Sequence, residues 1–474
     1  MFERTGSRAR TLWTLAITSV ALFMVVLDNL VVSTALPVIR VDLGASIEQL
    51  EWTVNAYTLT FAVFLLTGAA LGDRFGRRRM FAAGIGLFTV SSAAAALAPS
   101  MGALIAARAV QGVGGALVMP LTLTILSAAF PAERRGVALG IWGAVGGIAV
   151  ASGPLVGGAV IEGISWQWIF WLNVPVGLIL VPLAITRLGE SYGPDKALDL
   201  PGLGLASAGL LGVVWGLVNG NADGWTSVGI VGSIAAGIAL LVAFVVWELR
   251  TAQPMLPMGF FRSRAFSAAN AASLAMSFGM FGSIFLLTQF FQTAQGYSPL
   301  DAGLRVLPWT AMPMLVAPIA GALSDRIGSR PILATGLALQ AVGLAWIAAV
   351  STATVGYGSL VGPFVLSGIG MGMFFAPMAN VILGSVAPAE EGKASGANSA
   401  VREVGGVFGV AVLASVFSRY GGYESAATFS DGLVIATWVG AIVVALGAAA
   451  ALLIPRKRRE QAVEVAEPAY EAAA

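Results

Sequence analysis

The sequence predicts an all-α membrane protein of 14 transmembrane helices, arranged as two six-helix bundles with two inserted central helices between them. The chain of 474 residues is 57% hydrophobic and only 11% charged, whereas soluble proteins carry about 25% charged residues. Long apolar segments recur from one end to the other, and a helix needs about 20 such residues to cross a bilayer. The basic residues also fall on alternate connecting segments, which indicates a chain that crosses the membrane repeatedly.

The apolar segments are predicted to be helices because unpaired backbone groups are costly in hydrocarbon. The alternating segments of about ten residues that are typical of membrane β-barrels do not occur. The predicted spans are 12–36, 52–71, 80–98, 103–125, 137–160, 168–186, 202–218, 228–247, 266–291, 306–323, 332–350, 360–383, 400–417 and 432–454.

The basic residues predict the orientation of these spans. If the first residue is cytoplasmic, 22 of the 26 Lys and Arg residues fall on cytoplasmic segments. External loops then hold Arg40, Arg305 and Arg419, and Arg108 lies inside a span. Cytoplasmic loops of membrane proteins are enriched in basic residues. We therefore expect a multi-pass protein of the bacterial cell membrane with both termini in the cytoplasm.

A short charged motif occurs twice. "LGDRFGRRR" (71–79) follows the second span, and "LSDRIGSR" (323–330) follows the tenth. These positions are equivalent once spans seven and eight are set aside, which indicates an internal duplication of the kind found in transporters. The predicted units are a six-helix bundle (1–190), two inserted helices with their linkers (191–260), a second six-helix bundle (261–457) and a disordered cytoplasmic tail (458–474).

The repeated motif predicts a conformational latch on the cytoplasmic side. Its glycines permit tight turns between helices. Its carboxylates can accept hydrogen bonds from a neighbouring helix end or pair with arginine, so they could join the two halves and release them as they move apart. The alternative is that these charges only orient the chain. The latch residues are Asp73, Arg74, Gly76, Arg77, Asp325, Arg326 and Gly328.

Asp28 is a carboxylate within an otherwise apolar helix, where ionisable groups are costly and usually functional. From the helical rise, Asp28 lies about 6 Å and Arg108 about 9 Å outward from the middle of their spans. The two side chains are therefore at nearly the same depth and can pair. A carboxylate that is alternately paired and unpaired would take up and release a proton. The alternative is a static salt bridge.

Several function classes are excluded by what the sequence lacks. The chain has no cysteine and no histidine, which excludes disulfides, Cys or His metal sites and Cys or His nucleophiles. It contains no phosphate-binding GxxxxGK[ST] loop, so ATP bound by this chain would not drive it. A net charge of +2 does not indicate nucleic-acid binding. We expect neither an enzyme nor a bound cofactor or metal, and a proton gradient as the energy source.

The motifs together resemble the major facilitator superfamily, specifically its fourteen-span drug:proton antiporter branch. The segments that carry the resemblance are "LDNLVVSTALP" (27–37), "LGDRFGRRR" (71–79), "LIAARAVQGVGGA" (104–116), "GPLVGG" (153–158) and "WQWIFWLNVPVG" (166–177). The loop motif departs from the family pattern at Ala69, where glycine is usual. The resemblance implies the major facilitator fold, proton coupling through Asp28 and Arg108, and an antiporter role for the "GPLVGG" segment.

The "GPLVGG" segment also predicts a seal and hinge between the halves. The spacing of Gly153 and Gly157 lets another helix backbone approach closely, and Pro154 bends the helix. Together with Gly158 these residues form a predicted antiporter-motif hinge. The alternative is ordinary close packing.

Polar and aromatic residues inside spans predict a substrate cavity, because such linings suit varied apolar ligands. Plain packing is the alternative for each. The candidates are Asn55, Tyr57, Gln111, Gln289, Gln292, Phe374 and Asn380.

These patterns predict a proton-coupled secondary transporter that exports hydrophobic or amphipathic drugs or antibiotics by alternating access. Its expected partners are the lipid bilayer, a small hydrophobic or cationic substrate and protons, and we expect a monomer. One alternative is a proton symporter or facilitator that imports a nutrient. Another is a sensor or scaffold without transport, which would need a sizeable soluble domain that this sequence does not show.

Overall fold

The protein is all-α in the computed structural model, which describes residues 2–130, 132–192, 198–387 and 390–455. The helices are α1 (Phe2–Leu43), α2 (Ile47–Phe75), α3 (Arg77–Ala96), α4 (Met101–Ala129), α5 (Ala132–Gly163), α6 (Trp168–Trp171), α7 (Asn173–Arg187), α8 (Leu200–Asp223), α9 (Val228–Arg250), α10 (Arg264–Gln289), α11 (Pro299–Thr310), α12 (Met312–Ile327), α13 (Ser329–Val350), α14 (Tyr357–Gly372), α15 (Phe375–Leu383), α16 (Glu391–Tyr420) and α17 (Ala426–Ala451). A 3₁₀ turn covers Met258–Arg262, and a π-helical turn covers Phe290–Ala294.

Fourteen stretches of the described residues are long and apolar enough to cross a bilayer, which confirms the predicted count. Most extend beyond the predicted limits; the first, for example, continues to Leu43 instead of ending at residue 36. A helix does not stop where hydrocarbon ends, because its backbone bonds also persist in the headgroup region. The predicted tail, 458–474, and the side chain of Asp325 lie outside the described residues.

Two tight turns occur where the charged motif predicts them. Gly76 joins α2 to α3 with φ of +106°, and Gly328 joins α12 to α13 with φ of +89°. Backbone with positive φ is open to glycine at little cost and disfavours other residues. Serine side chains cap several of the other helices; Ser46, for example, forms a capping box with Gln49 at the start of α2.

The helices form two packed groups, α1–α7 and α10–α17, which we call the first and second halves. Corresponding helices pack in each half: α3 packs against α4 and α7 in the first half, as α13 packs against α14 and α17 in the second. The halves meet along α2 and α16 on one side and along α5 and α11 on the other. One end of the bundle holds the start of α1 and the end of α7, where Arg10 lies beside Gly189; we call it the amino-terminal end.

The end of the bundle at which α1 finishes is called the opposite end.

The inserted helices α8 and α9 cover one of these seams. α8 packs against both α2 and α16, and its Asn221 amide donates to the Ser415 carbonyl of α16. α9 packs mainly on α8, and its outer surface is apolar and exposed, as a lipid-facing helix requires. The residues buried together at this seam are Leu59, Val63, Val214, Val218, Val407 and Ala411.

The other seam is built on the glycines of α5. A Cβ added to Gly157 would lie 3.2 Å from the Val31 Cα of α1. A Cβ on Gly158 would lie 2.4 Å from the Pro299 carbonyl oxygen of α11. The contact at Gly158 is too short for a Cβ and that at Gly157 is tight, so the "GPLVGG" segment brings α5 against both its own half and the second half. Pro154, also predicted in the hinge, lies inside the helix.

Gly158→Ala should therefore separate α5 from α11 and lower the thermal unfolding temperature of the purified protein. Overpacking of this kind costs about 1–3 kcal/mol. Gly163→Ala is the matched control, since a Cβ at this end of the same helix meets no atom within 4 Å. Equal unfolding temperatures for the two variants would contradict the importance of this contact.

Candidate functional site

Asp28 and Arg108 lie in direct contact inside the first half, as their similar predicted depths allow. Asp28 on α1 is 1% exposed, and Arg108 on α4 is fully buried. Arg108 Nη1 lies 2.5 Å from Asp28 Oδ2. Two opposite charges in this environment compensate each other, whereas either one alone would be costly to bury.

Neutral side chains complete the hydrogen bonding of the Asp28 carboxylate. Gln111 Nε2 of α4 donates to Oδ1 at 2.9 Å, and Asn173 Nδ2 at the start of α7 donates to the same oxygen at 2.8 Å. Both amides also reach the hydroxyl of Ser92 on α3, at 3.2 and 3.0 Å. We call Asp28, Ser92, Arg108, Gln111 and Asn173 the Asp28 cluster. Gln111, predicted in the substrate cavity, thus has its amide engaged here.

Arg108 is held by more than its carboxylate. Its Nη1 donates to Gln111 Oε1 at 2.7 Å, and its Nε donates to the Thr53 carbonyl oxygen of α2 at 3.4 Å. The guanidinium carbon lies 4.2 Å from the centre of the Tyr57 ring. A cation over an aromatic face is stabilised, more so when both are removed from water. The cation therefore has partners on α2 and α4 in addition to Asp28.

This arrangement can respond to a proton. Binding a proton to Asp28 removes the charge that attracts Arg108, and a neutral acid needs fewer donors than a carboxylate. Contacts between α1 and its neighbours α4 and α7 are therefore stronger in the ionised form. The cluster can couple proton binding to the position of α1.

The halves are joined at the opposite end by hydrogen bonds between side chains and backbone. Thr288 Oγ1 on α10 donates to the Ser33 carbonyl oxygen at 3.1 Å. Gln292 Nε2, in the π-helical turn, donates to the Thr34 carbonyl oxygen at 2.8 Å. The seam between α5 and α12, nearer the amino-terminal end, is much less extensive than that between α5 and α11.

A stacked pair of side chains adds to this closure. The Arg40 guanidinium at the end of α1 lies 3.6 Å from the centre of the Tyr423 ring, in the connection between α16 and α17. The Tyr423 hydroxyl donates to Gln289 Oε1 of α10. Burial raises the pKa of Tyr423, against a smaller opposing effect of Arg40, so its hydroxyl keeps the proton that it donates.

The other predicted cavity residues are spread between these regions. Asn55 and Tyr57 of α2 are buried, and the Asn55 amide and the Tyr57 hydroxyl have no hydrogen-bond partner among the described residues. Phe374 is buried against Phe375, with ring centres 5.6 Å apart. Asn380 on α15 is exposed. Gln289 and Gln292 contribute to the closure described above.

The first copy of the charged motif braces its own half. Arg77 Nε lies 2.8 Å from Asp73 Oδ1. The Arg77 N–H donates to the Ser191 carbonyl oxygen at 2.9 Å, and the Arg78 N–H donates to Glu190 Oε1 at 2.9 Å. Glu190 and Ser191 follow α7, so the described contacts of Asp73 and Arg77 stay in the first half instead of joining the two halves.

The remaining latch residues make few described contacts in this conformation. Arg74 is exposed, with its guanidinium 5.2 Å from the centre of the Phe75 ring, and Arg326 is exposed. Beside Gly328, the Ser324 and Ser329 hydroxyls lie 2.8 Å apart across the turn. The motif therefore acts here as a turn and a brace, and latching of the two halves stays a prediction.

Sequence analysis missed several buried polar residues, among them Ser92, Asn173, Glu51 and Glu403. Ser92 and Asn173 belong to the Asp28 cluster; Asn173 lies within the "WQWIFWLNVPVG" segment, but its partner could not be known from that segment. Glu51 and Glu403 are 1% and 7% exposed. Sequence analysis could have found Glu51 as an acid at the edge of the predicted span 52–71. It could have found Glu403 as an acid within the predicted span 400–417.

A family model described as Major Facilitator Superfamily matches residues 18–313 and 269–473. The fold is also that of a solved POT family transporter, crystallised with a thioalcohol-conjugated peptide, with a TM-score of 0.68 at 15% identity. That alignment covers 91% of this chain and 94% of the other.

Curated relatives are similar over most of the chain. A tetracenomycin C resistance and export protein of Streptomyces glaucescens is 36% identical, over 86% of this chain and 76% of its own length. A cephamycin export protein, CmcT, of Amycolatopsis lactamdurans is 37% identical, over 87% of this chain and 86% of its own. A multidrug efflux pump, LfrA, of Mycolicibacterium smegmatis is 33% identical, over 99% of this chain and 92% of its own length.

Asn173→Ala should lower the thermal unfolding temperature of the purified protein, because Asp28 Oδ1 and the Ser92 hydroxyl each lose a buried donor. A lost buried hydrogen bond costs about 1–3 kcal/mol. Asn219→Ala is the control, since its amide donates to the Trp215 carbonyl within one helix turn. An unfolding temperature unchanged relative to Asn219→Ala would refute the structural role of Asn173.

Proposed function

Because the chain belongs to the Major Facilitator Superfamily, it is a multi-pass membrane transporter and not an enzyme, and we propose that it exports hydrophobic or amphipathic drugs or antibiotics in exchange for protons. Export is supported by the relatives, whose names describe export of tetracenomycin C, export of cephamycin and multidrug efflux. Those compounds differ in structure, so the proposal is a class of amphipathic substrates and not one compound.

The observation that carries the proton-coupled part of the proposal is the Asp28 cluster. It is an ionisable pair enclosed by helices, in a chain without histidine or cysteine to handle protons. Protonation of Asp28 loosens its hold on Arg108 and on the donors of α4 and α7. The proton can thus favour one orientation of the halves and substrate the other, as exchange requires when the two ligands prefer different states.

The orientation follows from the basic residues, which favour cytoplasmic termini in a bacterial cell membrane. The opposite end of the bundle is then external, and the conformation described here is closed to the outside. In the conformation that is open to the outside, the contacts of α1 with Thr288 and Gln292 would be broken. The charged motifs would then come together and latch the halves on the cytoplasmic side.

A panel of compounds tests this function directly. Cells of a susceptible strain that express the chain should survive higher concentrations of puromycin, ethidium or tetracenomycin C, and a protonophore should abolish the difference. In everted vesicles the same compounds should accumulate when a proton gradient is imposed. Movement in the reverse direction would favour a nutrient importer of the same fold.

Asp28→Asn should abolish proton-driven efflux of any transported compound, with a loss of at least about tenfold, because Asn cannot exchange a proton. Efflux is divided by the amount of each variant in the membrane, because Asn leaves Arg108 buried without its counter-ion. Asp223→Asn, at the exposed end of α8, is the matched control and should keep native efflux. If energised everted vesicles with either variant accumulated the compound at the same rate, the role of Asp28 would be refuted.

A further inference from the structure

Glu51 is a buried acid that the proposed mechanism does not use. It lies in the second turn of α2, at the opposite end of the bundle, and is 1% exposed. Its Oε2 atom is buried and has no hydrogen-bond partner among the described residues. An ionised carboxylate without a partner is costly to bury, by several kcal/mol, whereas a neutral acid is far less so.

Among the described residues, the charged and titratable groups on the helices around Glu51 do not offer a counter-ion. Glu48, on the same helix, is another acid. Arg40, at the end of α1, stacks on Tyr423. Arg419, in the last turn of α16, is exposed and lies near the Tyr420 ring. Arg108 of α4 contacts α2 at the Thr53 carbonyl and the Tyr57 ring, and its charge is paired with Asp28. The closed form of this end therefore favours Glu51 in its neutral form.

The same face of α2 carries a second unsatisfied residue. Asn55 lies one turn from Glu51, is fully buried, and has neither a donor nor an acceptor partner for its amide among the described residues. Water would satisfy both side chains if this end opened, because α2 lies against α16 of the second half. Opening would hydrate Glu51 and allow it to ionise.

We propose that Glu51 is a second proton-binding site, one that must take up a proton from the outside before the external end closes. The proton adds to the Glu51 carboxylate from external water and returns to external water on opening. Glu51 is thus a proton-sensing residue of the closure, distinct from Asp28. The proposal rests on the proposed function only in taking this end as external and able to open.

The absence of cysteine in the chain allows a direct test. Ser33→Cys places a thiol at the closure, where the native side chain is 8% exposed, and a membrane-impermeant maleimide added to intact cells reports opening. Maleimide reactivity itself rises with pH, so each rate is divided by that of Val41→Cys, a residue that is 84% exposed at the same end. Every variant also carries Asp28→Asn, so that Asp28 does not titrate, and labelling is normalised to protein amount.

The normalised labelling rate of Ser33→Cys should rise between pH 5.5 and 8.5. If one proton binds on closing, the rise is up to about tenfold per pH unit. Glu51→Gln should give a low rate that no longer depends on pH. Glu51→Asp should keep the pH dependence, and so should Glu48→Gln, the matched neighbouring acid. Labelling needs no export, so failure of the drug-export proposal leaves this result intact. An unchanged pH dependence in Glu51→Gln, or no labelling at any pH, would overturn the proposal.

Discussion

The cost of burying charge inside a bilayer is the constraint on which the structure of the first half depends. Asp28 and Arg108 are tolerated because they pair and because α2, α3, α4 and α7 all supply further partners. Those partners must lie within about 3 Å of fixed atoms. The cluster therefore sets the rotation and depth of five helices, and a change in its charge acts on all of them.

A short segment of α1 connects this cluster to the seams between the halves. Asp28 faces α4 and α7, Leu30 and Val31 lie against the glycines of α5, and the Ser33 and Thr34 carbonyls accept hydrogen bonds from the second half. These positions span about 9 Å of helix. In the proposed proton-coupled mechanism, a shift of α1 when Asp28 gains a proton would be transmitted to the α5 seam and to the closure at the opposite end without an intermediate element.

The two inserted helices make the seams unequal. α8 lies across the contact of α2 with α16, while the contact of α5 with α11 is left to its glycines. Because α8 bonds to α16 through Asn221 and also packs on α2, the proposed movement of the halves would require it to slide on one of them. Small apolar side chains such as Val214 and Val218 at this surface permit sliding, since they offer no directional bond.

The sequence alone determined the number of spans, the two glycine turns, the lone acid in the first span and its depth relative to Arg108. These features depend on local composition and on helical rise, which tertiary contacts do not change. Only the tertiary structure decided that Gln111 belongs with Asp28, that Ser92 and Asn173 complete the site, that the first copy of the charged motif braces its own half and that Glu51 is enclosed without a partner. Those outcomes depend on the rotation of each helix about its axis and on which helix lies beside it, and an apolar span of low amphipathicity encodes neither.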